Sequence, residues 1–138
     1  MNVPANHQAV MPYLMLANAE KFIDFVTVVF AATINEKQLT PEGKIRHCEA
    51  NIEGSTIMFT NINEDWPAAT AHLFVYVANA DESYHKALAR GATSVMDLWV
   101  STMAEPVGLK ILVEILGGSP RYKTKGWLFT ILWVGELH

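Results

Sequence analysis

The sequence predicts an α+β protein in which paired βαβββ modules form a curved mixed sheet. Three observations carry that expectation. A strand-to-helix joint occurs twice, as "YLMLANAEKFIDF" from Tyr13 and "FVYVANADESYHK" from Phe74. Strand-like runs and turn residues then follow in the same order after each joint. The 138 residues are 51% hydrophobic and 17% charged, a balance that supports a packed core.

The elements follow in chain order. The apolar run at Tyr13 is a first strand, and Asn18 stands where a helix N-cap belongs, since its side chain accepts from first-turn amides. Glu20 then sets negative charge against the positive end of the helix dipole, and the helix runs to about Ala31. A short strand is expected near Thr33 to Asn35, followed by a polar loop. "KIRHCEANI" and "STIMFT", joined through "EGS", make a hairpin that ends the first module near Asn61. "NEDWPAAT" is the linker, with Pro67 breaking regular structure.

The second module repeats this plan. "AHLFVYV" is its first strand, Asn79 and Asp81 repeat the cap and the acid, and a helix spans Asp81 to Arg90. "RGAT" answers "FAAT" of the first helix end, and Gly91 suits a left-handed C-terminal cap. "TSVMDLW" is the next strand. The expected division is one domain over 1–138, with a first module over 1–66 and a second over 67–138.

Several function classes are excluded. The net charge of −4, with scattered lysines and arginines, leaves no basic footprint for nucleic acid. No uninterrupted apolar run reaches the roughly 18 residues of a membrane span. The first residues lack a basic segment followed by an apolar one, so they do not read as a signal peptide. The one cysteine, Cys48, excludes an internal disulfide framework and fits a reducing cytoplasm. No Gly-rich phosphate loop or methyl-donor glycine motif is present.

Paired βαβββ units carrying "MPYLMLANAEKFIDF", "GKIRHCEANIEGSTIMFTN" and "HLFVYVANADESYHKALARGATSVM" resemble the vicinal oxygen chelate superfamily. That group contains glyoxalase I, bleomycin-resistance proteins, fosfomycin-resistance enzymes and extradiol dioxygenases. The wording is most similar to its PhnB-like branch, over roughly residues 10 to 98. The resemblance implies the glyoxalase/bleomycin-resistance fold, a cup that holds ligand or metal, and a homodimer. The branch is often labelled demethylubiquinone methyltransferase-like, and the fold transfers more securely than any function.

Strand alternation assigns the cup lining. Cys48, Ala50 and Ile52 fit the helix side, which leaves His47 and Glu49 inward. Leu73, Val75 and Val77 pack on the helices, which leaves His72, Phe74 and Tyr76 inward. The repeat offset adds Met11, Tyr13 and Met15. Such a lining suits a small hydrophobic or aromatic molecule, or it simply fills the interior of a small sheet protein. Tyr13, His47, Glu49, His72, Phe74 and Tyr76 are the candidate ligand contacts. His47 and Glu49, two apart on one strand, are the candidate catalytic pair. They make an acid–base pair, a site of another kind with His72, or an internally bonded polar cluster, the commoner arrangement.

Metal-dependent members of the superfamily place a His on the first strand of each unit and a carboxylate on its last. His72 matches the His position of the second unit, but its first-unit counterpart is Met11, and "STIMFTN" has no acid. One matched position does not hold a catalytic metal, so no family-type metal site and no cofactor are expected. His7 is placed in a loose N-terminal arm, His85 on an exposed helix face and His138 at the terminus. Cys48 reads as a buried structural thiol.

After about residue 98 the resemblance stops. PhnB-like relatives end in a stretch resembling "YGR.GG(I/V)KDPFGNTWWI", where this chain has "TMAEPVGLKILVEILGGSPRY". Joining the last base of each codon to the first two of the next forces a Gly at Met103–Ala104. The same shift permits Lys and Asp at Leu109 to Ile111, only Asn or Asp at Glu114–Ile115, and two Trp across Leu116 to Gly118. The family Phe after Pro cannot be encoded there. The expectation is a one-base deletion or two-base insertion between about Asp97 and Met103, with an ordinary divergent tail as the alternative. Leu109 to Leu116 and Trp127 to Val134 are rich in β-formers and are expected to form a replacement last hairpin.

Overall fold

The computed structural model describes residues 2–69, 71–94, 108–116 and 127–136. They form two compact units, each built on a four-stranded mixed sheet with a helix in its chain segment. The α+β class expected from the sequence is what is found.

The first unit contains β1 (Tyr13–Leu16), α1 (Ala19–Phe30), β2 (Thr33–Leu39), β3 (Ile45–Ile52) and β4 (Ser55–Asn61). Its strand order is β1-β4-β3-β2, with β1 parallel to β4 and the other pairs antiparallel. The Asn18 side chain accepts from the Lys21 N–H at 3.0 Å, as an N-cap should. Asn61, at the far end of β4, accepts from the Ala19 N–H at 2.9 Å, so the sheet itself takes a second free amide of the helix. Alternation then sorts the strands. Leu14, Leu16, Cys48, Ala50, Ile52, Ile57 and Phe59 are all buried, as are Phe22, Phe25, Val26, Val29 and Phe30 of α1. At the centre Phe22 meets Phe59 edge to face, with ring centroids 4.9 Å apart.

Two turns use left-handed backbone. Glu53 and Gly54, at φ 48° and 88°, make the two-residue link between β3 and β4. Two successive positive φ values match the right-handed twist of a hairpin. α1 ends on Ala31 at φ 52°, and the Ala32 N–H returns to the Val26 carbonyl at 3.1 Å.

Two sequence expectations need correction. The strand expected at Thr33 to Asn35 continues to Leu39, through residues expected to be loop. β2 is an edge strand, where charged side chains are tolerated because they reach solvent. Two register irregularities, at Ile34/Glu36 and Gln38/Leu39, bend it along β3. The linker is also not a mere spacer. Ala69 and Met15 exchange backbone hydrogen bonds of 3.1 and 2.8 Å, which seats the linker's end against β1.

The second sheet and its helix comprise β5 (His72–Val77), α2 (Ala80–Ala89), β6 (Thr93–Ser94), β7 (Gly108–Leu116) and β8 (Trp127–Glu136). Its order, β5-β8-β7-β6, repeats that of the first unit strand for strand. Asn79 accepts from the Glu82 N–H at 3.0 Å, and Gly91 has φ 93°, as the repeat required. β8 is parallel to β5, and β6 is antiparallel to β7. The tail strands therefore occupy the last two strand positions of the module. Most of "TSVMDLW", and the segment expected to hold the frame change, lie outside the described residues.

Candidate functional site

β4 lies between β1 and β3, and Met58 on it is the register partner of both Tyr13 and Glu49. Side chains on that face can thus meet across one strand. Leu14 and Leu16 alternate into the core, so Tyr13 takes the other face and is 40% exposed. The same alternation about Cys48 and Ala50 puts His47 and Glu49 on Tyr13's side. The Tyr13 hydroxyl lies 3.1 Å from His47 Nδ1, and His47 Nε2 lies 3.0 Å from Glu49 Oε1.

A fourth member comes from before the first strand. His7 Nε2 lies 2.8 Å from Glu49 Oε2, which corrects the expectation of a loose N-terminal arm. The arm is tied down by backbone that β1 does not reach. β1 pairs with β4 only from Met58 onward, so the amide groups of Thr56 lack a strand partner on that side. The Gln8 side chain supplies one, donating to the Thr56 carbonyl at 2.7 Å and accepting from its N–H at 3.2 Å. The Thr56 hydroxyl also donates to the Asn6 carbonyl.

Proton positions in this array follow from donor and acceptor counts. An ionised Glu49 only accepts, so His47 must present Nε2–H to it, and Nδ1 is then free to accept from the Tyr13 hydroxyl. His7 donates to the remaining carboxylate oxygen. The carboxyl of Glu49 is held below the usual carboxylate range, chiefly by the His47 hydrogen bond; burial opposes this, and His7 adds to it. Tyr13 is pushed up by burial and then by the Glu49 charge, which keeps its phenol protonated. Burial pushes the Cys48 thiol up to about 11, consistent with a structural role.

Tyr13 also lines a cavity of about 670 Å³ in the first unit, with Met15, Ile45 and Trp66 giving apolar wall. That is the size of a pocket for a small organic molecule. Lys44, Arg46 and Glu42 bring charge to the lining. Trp66, 57% exposed, was not among the sequence candidates. The Asn63 side chain holds it by accepting from the Asp65 and Trp66 N–H groups at 2.9 and 2.8 Å. A large aromatic in a linker of otherwise small or polar residues was the available signal.

The structure thus brings Tyr13, His47 and Glu49 together. Tyr76 lies on β5 and is half-exposed, next to buried Val75. His72 and Phe74 occupy their expected places on β5, but their side chains lie outside the described residues. His85 is exposed on α2, its ring against Tyr84. His138 lies outside the described residues. Among the described residues, no group of three or more His, Cys, Asp or Glu side chains is placed to hold a metal ion. Met11 turns its sulfur to the Gln8 N–H at 3.4 Å.

Neither a protein-family model nor a curated protein matches the sequence. Solved structures do match the fold. A putative 3-demethylubiquinone-9 3-methyltransferase, the PhnB protein of Bacillus cereus, is similar at 16% identity and TM-score 0.65, over 94% of this chain and 100% of that one. The antibiotic binding protein TnmS3 from Streptomyces sp. CB03234 is similar at 12% identity and TM-score 0.58, over 94% and 98%. The genomically encoded fosfomycin resistance protein FosX from Listeria monocytogenes is similar at 12% identity and TM-score 0.61, over 100% and 96%. These likenesses show that the chain has the glyoxalase/bleomycin-resistance fold.

Proposed function

We propose that this chain binds a small hydrophobic or aromatic molecule, without the metal catalysis typical of the fold. One observation carries the reading. Tyr13, oriented by His47 and Glu49, sets a polar group in the wall of a cavity whose apolar wall includes Met15, Ile45 and Trp66 and whose charged lining is Glu42, Lys44 and Arg46. Apolar walls with few, well-held polar groups are what orient a small ligand. TnmS3, an antibiotic binding protein of similar fold, has a role of the same kind. The family-type metal set does not fit the first unit, because Met11 is a poor ligand for a hard or borderline ion and β4 carries no acid. In this reading the protein works as a cytoplasmic homodimer; among the described residues no helix is long and apolar enough to cross a membrane.

A second reading has a specific basis. The run from Tyr13 through His47 to Glu49 has the wiring of an oriented acid–base group, which a lyase, isomerase or dioxygenase of the superfamily could use. Native mass spectrometry and elemental analysis of the purified protein separate the two. A bound organic molecule without stoichiometric metal, lost in Trp66→Ala but kept in His85→Ala, is the expected result. One tightly held ion per chain would overturn the metal-free reading.

A further inference from the structure

We propose that the pocket selects an aromatic ligand carrying an oxyanion, and that the protein takes up a proton as this ligand binds, shared between His47 and Glu49. The inference rests on the binding role proposed above. It comes from counting hydrogens along the Tyr13–His47–Glu49 array, whose links measure 3.1 and 3.0 Å.

A phenol has one hydrogen to donate. In the array as found, Tyr13 spends it on His47 Nδ1, and His47 spends its Nε2–H on Glu49. Facing the pocket, Tyr13 therefore offers lone pairs only. An oxyanion brings no hydrogen, so Tyr13 must turn its own toward the ligand. His47 Nδ1 then needs a hydrogen to keep its bond to the phenol oxygen. With Nε2–H still on Glu49, that state is an imidazolium beside a carboxylate. If the proton sits on Glu49 instead, His47 is the other neutral tautomer; either way the array has gained one proton from solvent. No bond other than these N–H and O–H bonds changes.

The surroundings favour the anionic partner. Lys44 and Arg46 line the same cavity, against one acid, Glu42. Around His47 the charged and titratable groups are Tyr13 from β1, Glu49 on its own strand, and His7 on the other oxygen of Glu49. From β2, neutral Gln38 stands opposite His47 and bonds both Arg46 and Glu36. Among the described residues no Lys or Arg bonds Tyr13, His47 or Glu49 to offset the carboxylate's negative charge, and His7 reaches it as a hydrogen-bond partner of Glu49. A proton offsets that charge, and leaves the oxyanion a neutral neighbour with a donor aimed at it.

The test is isothermal titration with para-nitrophenolate, at a pH where the free probe is ionised, in two buffers of different ionisation heat. The dependence of heat on buffer gives the protons taken up; about one per bound probe is expected. Tyr13→Phe keeps the ring at a half-exposed position and should fold normally by circular dichroism. It should bind the probe about tenfold more weakly, as for loss of one charge-assisted hydrogen bond, and take up none. Neutral para-nitrotoluene should bind the native protein weakly, without proton uptake. Nitrophenolate binding without uptake, or unchanged uptake in Tyr13→Phe, overturns the proposal while the binding role stands. Binding of neither compound sinks the pocket reading itself, and this inference with it.

Discussion

His7 donates to Glu49 across 42 residues of chain, and so ties the N-terminal arm to the middle of β3. Because His47 takes the other carboxylate oxygen, Glu49 is 9% exposed yet accepts from two histidines. Its pKa is lowered in the folded chain. A carboxylate so lowered contributes its full stabilisation above its unfolded pKa, and loses it as pH falls through the folded value. Glu49→Gln should therefore destabilise the protein at neutral pH by about 2 kcal/mol, the scale of a hydrogen bond to a charged group. On acidification below the ordinary carboxylate range, the gap between the two melting curves should close. A gap that widens toward acid would contradict this assignment of charge.

Local chemistry made much of this legible in the sequence. Asn18 and Asn79 cap helices because a short amide side chain reaches first-turn amides in any context. His47 and Glu49 share a face because the strand period is two. His7 was not legible, since its partner depends on how an arm without periodicity crosses β4. Nor was the length of β2, where Glu36, Lys37 and Gln38 look like a loop until an edge position gives them a neighbour on one side only. Trp66 stood in plain view, but nothing local says that Asn63 holds it toward a cavity.

Ala31 closes α1 at φ 52°, where the second helix end has Gly91 at φ 93°. A Cβ in the left-handed region costs about 1–2 kcal/mol, part of which glycine gives back through its freer unfolded chain. Ala31 is exposed, so removing its methyl leaves no cavity. Ala31→Gly should stabilise the protein by about 0.5–1 kcal/mol, read as a rise of about 2–4 °C in the melting temperature. A lower melting temperature would mean that the methyl group makes contacts worth more than the strain.

Phe22 is fully buried and packs edge to face on Phe59. Phe22→Ala should cost about 3–5 kcal/mol, through lost transfer energy and the cavity left behind. Set against the 5–15 kcal/mol typical of a whole domain, that makes the variant marginal. Urea unfolding should show a midpoint well below that of the native protein with little change in slope. A loss under about 1 kcal/mol would mean that α1 is not seated on the sheet as described.

The tail joins the gene to the fold. β8 stands between β5 and β7, and six residues of β5, His72 to Val77, have register partners on it from Ile131 to Glu136. Ending the chain after Gly126 removes the strand that, among the described residues, joins β5 to β7. It should abolish cooperative unfolding of the second unit, seen as loss of amide-exchange protection in β5. That the tail forms strands at all does not require the ancestral residues. "GLKILVEIL" and "WLFTILWVGE" are dense in β-branched and aromatic residues, and such residues fit a pleated, half-buried position in any frame. A change of frame is thus compatible with the repeated strand order, which depends on residue class more than on identity. The codons carry the test. Read one base out of step from Met103 to Ser119, they should spell Lys-Asp-Pro, then Gly-Asn-Thr-Trp-Trp-Ile, in that order. Codons in which Leu116–Gly117 and Gly117–Gly118 cannot both yield Trp would end the frame-change idea and leave a divergent tail of ordinary origin.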